Sequence, residues 1–187
     1  DRNKRVYYGM ITALDDAVGR IVNELKAKGL EDNTMIWFLS DNGGATYTRA
    51  TDNYPLKGGK FTNFEGGLNV PFMLQWKGHL PAGMQYAQPV ISMDIFQTSV
   101  AMAGVDLPTD REYDGANLIP YLDRMYKDAP HRALFWRSNY TYAVRFGSWK
   151  LIVDERSGNR VLYNLDEDKT EQHNLYAASP DIVHMLE

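Results

Sequence analysis

Three features of this sequence predict an α/β domain followed by a small antiparallel β subdomain. They are a long amphipathic segment at residues 5–28, two nearly continuous apolar runs at residues 34–40 and 70–76, and a change of texture after about residue 130. In the first segment Val6, Met10, Leu14, Ala17, Val18, Ile21 and Leu25 recur at spacings of three and four. That spacing lines one face of a helix, and Gly29 is placed to end it. The run Thr34-Met35-Ile36-Trp37-Phe38-Leu39-Ser40 lies between Asp32-Asn33 and Asp41-Asn42-Gly43-Gly44. It predicts a strand buried on both faces, as in a parallel sheet. A helix followed by such a strand points to layered α/β architecture.

The remaining elements follow in order. Residues 41–69 are rich in Gly, Asn and Thr and lack periodicity; a loop of this length in a compact domain is usually functional or disordered. Residues 70–76 predict a second buried strand, residues 93–103 a helix ended by Gly104, and residues 117–125 a shorter helix. Beyond Lys127-Asp128-Ala129-Pro130, segments 133–137, 140–146, 149–154 and 160–165 are short and aromatic-rich, with Ser157-Gly158-Asn159 as a hairpin turn. Their aromatics, Phe135, Trp136, Tyr140, Tyr142 and Trp149, suit core packing better than sugar stacking. Ser179-Pro180 opens a C-terminal helix. The chain thus divides into residues 1–126 and 127–187. It begins at Asp1 without a signal-peptide pattern, and its last helix runs only about two turns. We therefore expect a piece of a longer protein.

Composition removes several function classes. The 187 residues are 44% hydrophobic and 24% charged, with a formal net charge of −4. That balance suits an ordinary globular core. The basic residues are scattered, which gives nucleic-acid binding no electrostatic footprint. No apolar run reaches the roughly 18 residues a membrane span needs. Without cysteine there is no disulfide, thiolate metal site or cysteine nucleophile within these residues.

Two loop patterns carry candidate chemistry. Asp41 and Asn42 follow the first strand directly, at the strand end where open α/β sheets place ligands. Their carboxylate and amide oxygens are hard donors of the kind Ca²⁺ or Mg²⁺ takes, although two donors do not complete a site of six to eight. Taken alone, the same residues also fit an Asx-type turn. Lys57 and Lys60 sit in Leu56-Lys57-Gly58-Gly59-Lys60, where backbone and ammonium groups can approach an oxyanion; a solvated loop is the alternative. His79, His131, His173 and His184 are dispersed, with no metal-ligand spacing among them.

The two patterns belong to a longer string. It comprises Tyr8, Leu14-Asp15, Val18-Gly19, Ser40-Asp41-Asn42-Gly43, Leu56-Lys57-Gly58-Gly59-Lys60, Glu65-Gly66-Gly67 and Val70-Pro71. It continues through Asp94-Ile95-Phe96-Gln97-Thr98, Asp114-Gly115, Trp149-Lys150-Leu151-Ile152 and Glu171-Gln172-His173-Asn174-Leu175. In order and spacing it resembles the second half of the sulfatase catalytic domain, of the arylsulfatase A-like family and the alkaline-phosphatase-like superfamily. The resemblance covers nearly the whole chain. It implies the C-terminal part of that domain, followed by a small antiparallel sheet with a C-terminal helix.

The resemblance also implies roles. Asp41 and Asn42 match late ligands of a divalent metal, usually Ca²⁺. Lys60 matches the lysine that contacts the sulfate and offsets charge on the leaving oxygen. Lys57, where relatives often carry Arg, implies a second substrate-binding cation without the bidentate fork. Glu65-Gly66-Gly67 implies a structural element holding the lysine loop. The family's formylglycine nucleophile arises from a C/S-x-P-x-R motif that does not occur here, so it would come from a missing N-terminal half, and this chain alone would not turn over. The implied substrate is a sulfated small molecule or glycan, and the implied location is periplasmic or secreted. The alternatives are a phosphatase or phosphodiesterase of the same superfamily, or a non-catalytic carbohydrate-binding relative.

Overall fold

The structure is a computed structural model and describes residues 2–187. Helix α1 spans Arg2–Ala27. It ends as its sequence predicts: Gly29 adopts φ 68° and donates its N–H to the Lys26 carbonyl at 3.0 Å. Strands β1 (Ile36–Leu39) and β2 (Phe72–Gln75) pair in a two-stranded sheet, with α2 (Glu65–Leu68) between them in sequence. The expectation that both strands are buried on both faces does not hold among the described residues. Phe38 is 38% and Met73 56% exposed, because a two-stranded sheet supplies neither strand with a covering layer.

Residues 30–37 and 74–132 form one compact unit, and residues 2–29, 38–73 and 133–187 form another. The first unit contains α3 (Asp94–Met102) and α4 (Ile119–Leu122). Asp94 organises it. This fully buried carboxylate accepts the N–H groups of Ile91 and Ala116, each at 2.8 Å, and meets His131 Nε2 at 2.9 Å.

The second unit holds the antiparallel meander β3 (Ala133–Ser138), β4 (Thr141–Phe146), β5 (Trp149–Asp154) and β6 (Asn159–Asn164). Between β5 and β6, Asp154 accepts the Arg156 and Ser157 N–H groups and the Ser157 hydroxyl. This shapes the expected turn. Side chains alternate across the sheet with period two, and both faces are covered. On one face Val144, Leu151, Val153 and Leu162 pack with Val183 of α5 (Pro180–Leu186). On the other, Ala143, Ile152, Tyr163 and Leu165 pack with Phe64 of the lysine loop. Trp136, Tyr142 and Trp149 join these cores, whereas Phe135 and Tyr140 stay 76% and 59% exposed.

Candidate functional site

The site is assembled from backbone approaching backbone. At the end of β1, Ser40 N–H donates to Pro71 O at 3.1 Å and its hydroxyl to Asn42 O at 2.8 Å. Gly43 N–H then donates to Gly67 O at 2.9 Å, so the turn after β1 lies directly on α2. A side chain on Gly43 would strike the Gly66 carbonyl. Gly66 N–H in turn donates to Lys57 O at 2.7 Å, and a methyl group there would lie 2.5 Å from that oxygen and 2.7 Å from Gly58 O. Only glycine lets three chain segments come this close.

Asn53 ties the remaining contacts together. Its Oδ1 accepts Gly44 N–H at 2.9 Å, and its Nδ2 donates to Gly58 O at 2.9 Å. The Lys60 N–H donates to Gly44 O at 3.1 Å, which fixes the second lysine's backbone to the turn bearing Asp41 and Asn42. Asn53 escaped sequence reading because an Asn beside a Pro-containing loop carries no distinguishing spacing.

Within the turn, Asn42 N–H donates to Asp41 Oδ1 at 3.0 Å, and Asn42 Nδ2 donates to Gly43 O at 2.9 Å. Asp41 Oδ2 and Asn42 Oδ1 accept no hydrogen bond among the described residues. Two hard oxygens from adjacent residues suit a Ca²⁺-type cation as part of its shell. No cluster of three or more His, Cys, Asp or Glu residues forms a metal site among the described residues.

The two lysines diverge. Lys57, expected as an anion-binding cation, has its ammonium turned to Glu171 O at 2.9 Å and the Tyr163 hydroxyl at 3.2 Å, over the Phe64 ring at 4.6 Å. Lys60 makes no ion pair or side-chain hydrogen bond among the described residues; its ammonium lies 5.5 Å from the Phe61 ring centroid. In the same loop Asn63 is 6% exposed, and its Nδ2 lacks a hydrogen-bond partner.

Behind the loop lies a buried charge cluster. The register pairs Lys150 of β5 with Tyr163 of β6, and both side chains reach the loop. The ammonium of Lys150, fully buried, sits 2.7 Å from Glu65 Oε1 and 2.9 Å from Glu171 Oε1. The second contact is an ion pair outside hydrogen-bonding geometry, since Glu171 Oε1 has no hydrogen-bond partner. Glu171 Oε2 accepts the Glu65 N–H at 2.7 Å, at the start of α2. Burial pushes the Glu171 carboxyl above its ordinary value, and Glu65 adds to that; Lys150 and the Glu65 N–H pull it down. The sequence signal for this cluster is a lysine inside the otherwise apolar run 149–153.

Comparison with known proteins follows the same residues. A sulfatase family model matches residues 1–105, and the C-terminal model of N-sulphoglucosamine sulphohydrolase matches residues 59–186. The N-acetylgalactosamine-6-sulfatase of Mus musculus is 37% identical over 148 residues, 77% of this chain and 28% of that protein. The crystal structure of Ps i-CgsB in complex with k-i-k-neocarrahexaose superposes with a TM-score of 0.90 at 31% identity, over 100% of this chain and 42% of that one. Phosphonate monoester hydrolase of Agrobacterium radiobacter gives a TM-score of 0.70 at 28% identity, over 97% and 38%. The chain thus spans under half the length of each of these proteins.

Proposed function

Because this chain belongs to the sulfatase family, with its alkaline-phosphatase-like fold, we propose that the whole protein hydrolyses sulfate monoesters of aryl or carbohydrate alcohols. One observation carries the reading: Lys60, with no ion pair or side-chain hydrogen bond among the described residues, is bonded through its backbone to the turn that presents Asp41 and Asn42. Asp41 Oδ2 and Asn42 Oδ1 would hold part of the shell of a divalent cation, Ca²⁺. When bound, that cation polarises the sulfate as a Lewis acid. The nucleophile would be a formylglycine supplied from outside these 187 residues.

The chain's own contribution is positioning and charge. Lys60 donates to the ester oxygen as negative charge grows there when the S–O bond breaks, an interaction stronger in the transition state than in the bound substrate. Lys57 anchors the loop to the β3–β6 sheet, its donors directed to Glu171 and Tyr163. The glycines fix the distance between the lysine loop and the cation turn. The substrate in this reading is a sulfated glycan or small molecule, and the setting is periplasmic or secreted. No helix among the described residues is long and apolar enough to cross a membrane.

The similarity to a phosphonate monoester hydrolase favours a second reading, hydrolysis of phosphorus esters at the same site. A matched set of phenyl sulfate, phenyl phosphate and a phenyl phosphonate monoester separates the two in the whole protein. Sulfate release that exceeds the other two, and that stops on chelation and returns with Ca²⁺, is expected. Release from phosphorus esters alone would move the protein to the second reading.

A further inference from the structure

Beside Lys60 stands a pair of aromatic rings that the catalytic reading leaves unused. Lys60 and Phe61 are the central residues of a tight turn: Thr62 N–H donates to Gly59 O at 3.0 Å, and the Thr62 hydroxyl donates to the same carbonyl at 2.8 Å. Phe61 takes φ 73°. A turn position with positive φ favours glycine or asparagine, and a bulky side chain there is strained. Burial does not offset the strain, since Phe61 is 74% exposed. Its ring stacks instead on Tyr47, itself 65% exposed, with centroids 6.0 Å apart and planes 17° from parallel.

Two exposed rings stacked on each other, with an ammonium that has no ion pair among the described residues 5.5 Å from one of them, combine two recognition elements. The rings offer a flat apolar face, and the ammonium offers a positive charge beside it. The ligand that satisfies both carries an anionic group on a flat or chair-shaped ring. Strained residues that the fold itself does not require cluster at ligand clamps. We propose that Tyr47 and Phe61 form a stacking platform for the ring that bears the sulfate ester, an aryl or pyranose ring. The platform selects ring-borne sulfates over those of simple alkyl alcohols. This rests on the sulfatase reading of Lys60 and names the substrate feature read next to it.

The test uses the whole protein, phenyl sulfate as the ring-bearing probe and methyl sulfate as the ringless one, with Tyr47→Ala and Phe61→Gly. Both variants should raise KM for phenyl sulfate on the order of ten-fold, the size of an aromatic contact, while kcat and the response to methyl sulfate hold. Phe61→Gly should also melt at the same or a higher temperature, because glycine relieves the positive φ. Equal losses on both esters would overturn the platform. So would a lower melting temperature for Phe61→Gly with KM unchanged, which would make the ring structural. If the wild-type protein releases sulfate from neither probe, the catalytic reading fails separately. Calorimetric binding of the two sulfates then decides the platform by the same contrast, and equal weakening of both rejects it.

Discussion

An ammonium group already donating to a carbonyl and a phenol, as that of Lys57 does, has little left for a bound anion. Lys60, three residues on, has no such partners among the described residues. Replacing the two should therefore separate stability from turnover. Lys57→Met should cost about 1.5–3 kcal/mol of stability, the usual worth of hydrogen bonds from a charged donor; Lys60→Ala should leave the denaturant midpoint nearly unchanged. Equal midpoints for the two variants would contradict this division. Glu171 gives a prediction in pH. Its folded carboxyl is raised above the ordinary 4.5, chiefly by burial, so the fold binds its proton more tightly than the unfolded chain does. Its contribution to stability is complete below the unfolded value and is lost as pH rises through the folded one. In Glu171→Gln that loss is absent, so the stability gap should shift in the variant's favour as pH rises above 4.5. A shift the other way, read from urea melts across that range, would reverse the assigned sign. At this scale Asp41, Asn42 and Lys60 stand out in the sequence as candidates, because each belongs to a short local pattern. The partners of Lys57 were not: they lie more than 100 residues away in sequence, and only the fold brings them near.

Among the elements, α2, only four residues long, is tightly constrained. Its four residues begin at the Glu65 N–H held by Glu171, and its glycines let both the cation turn and the lysine loop rest on its backbone. Gly66→Ala would press a methyl group into two backbone carbonyls, neither of which can rotate away. Overpacking of this kind costs about 1–3 kcal/mol. The variant should lose that stability and also lower turnover, since Lys60 and Asp41 would be pushed apart. Unchanged stability would mean the backbones are less tightly stacked than they stand. The strands after residue 130 were legible from alternating aromatics and turn residues, nearly to the residue. The full burial expected of β1 and β2 was not met, because an apolar run states only that a strand can be covered; what covers it depends on layers the run does not encode. The covering of the four-stranded sheet by the lysine loop, through Phe64 and Tyr163, was likewise invisible in either segment alone.

For the molecule as a whole, two features stand out. The β3–β6 sheet bears on the site: Lys150, fully buried, joins it to α2 through Glu65 and Glu171. Breaking a buried ion pair by removing one partner costs about 3–5 kcal/mol, so Lys150→Met should strongly destabilise the unit that carries both sheet and loop. Helix α1 shows the opposite condition. None of its residues is buried, and Val6, Met10, Leu14 and Ile21 are 53% exposed or more, in an apolar stripe of helical spacing. Such a patch marks an interaction surface, and the 187-residue chain expressed by itself should self-associate through it, less so with Met10→Gln and Leu14→Gln. In the reading proposed above, Lys60 and the adjacent Asp41-Asn42 turn serve sulfate ester hydrolysis. That role is tested most directly by the rate of sulfate release from an aryl sulfate by the whole protein and its Lys60→Ala variant, both correctly folded and supplied with Ca²⁺. A fall in kcat of about 10²-fold or more is expected, as for other groups that stabilise transition-state charge; turnover that survives the substitution within a few-fold would remove Lys60 from the chemistry.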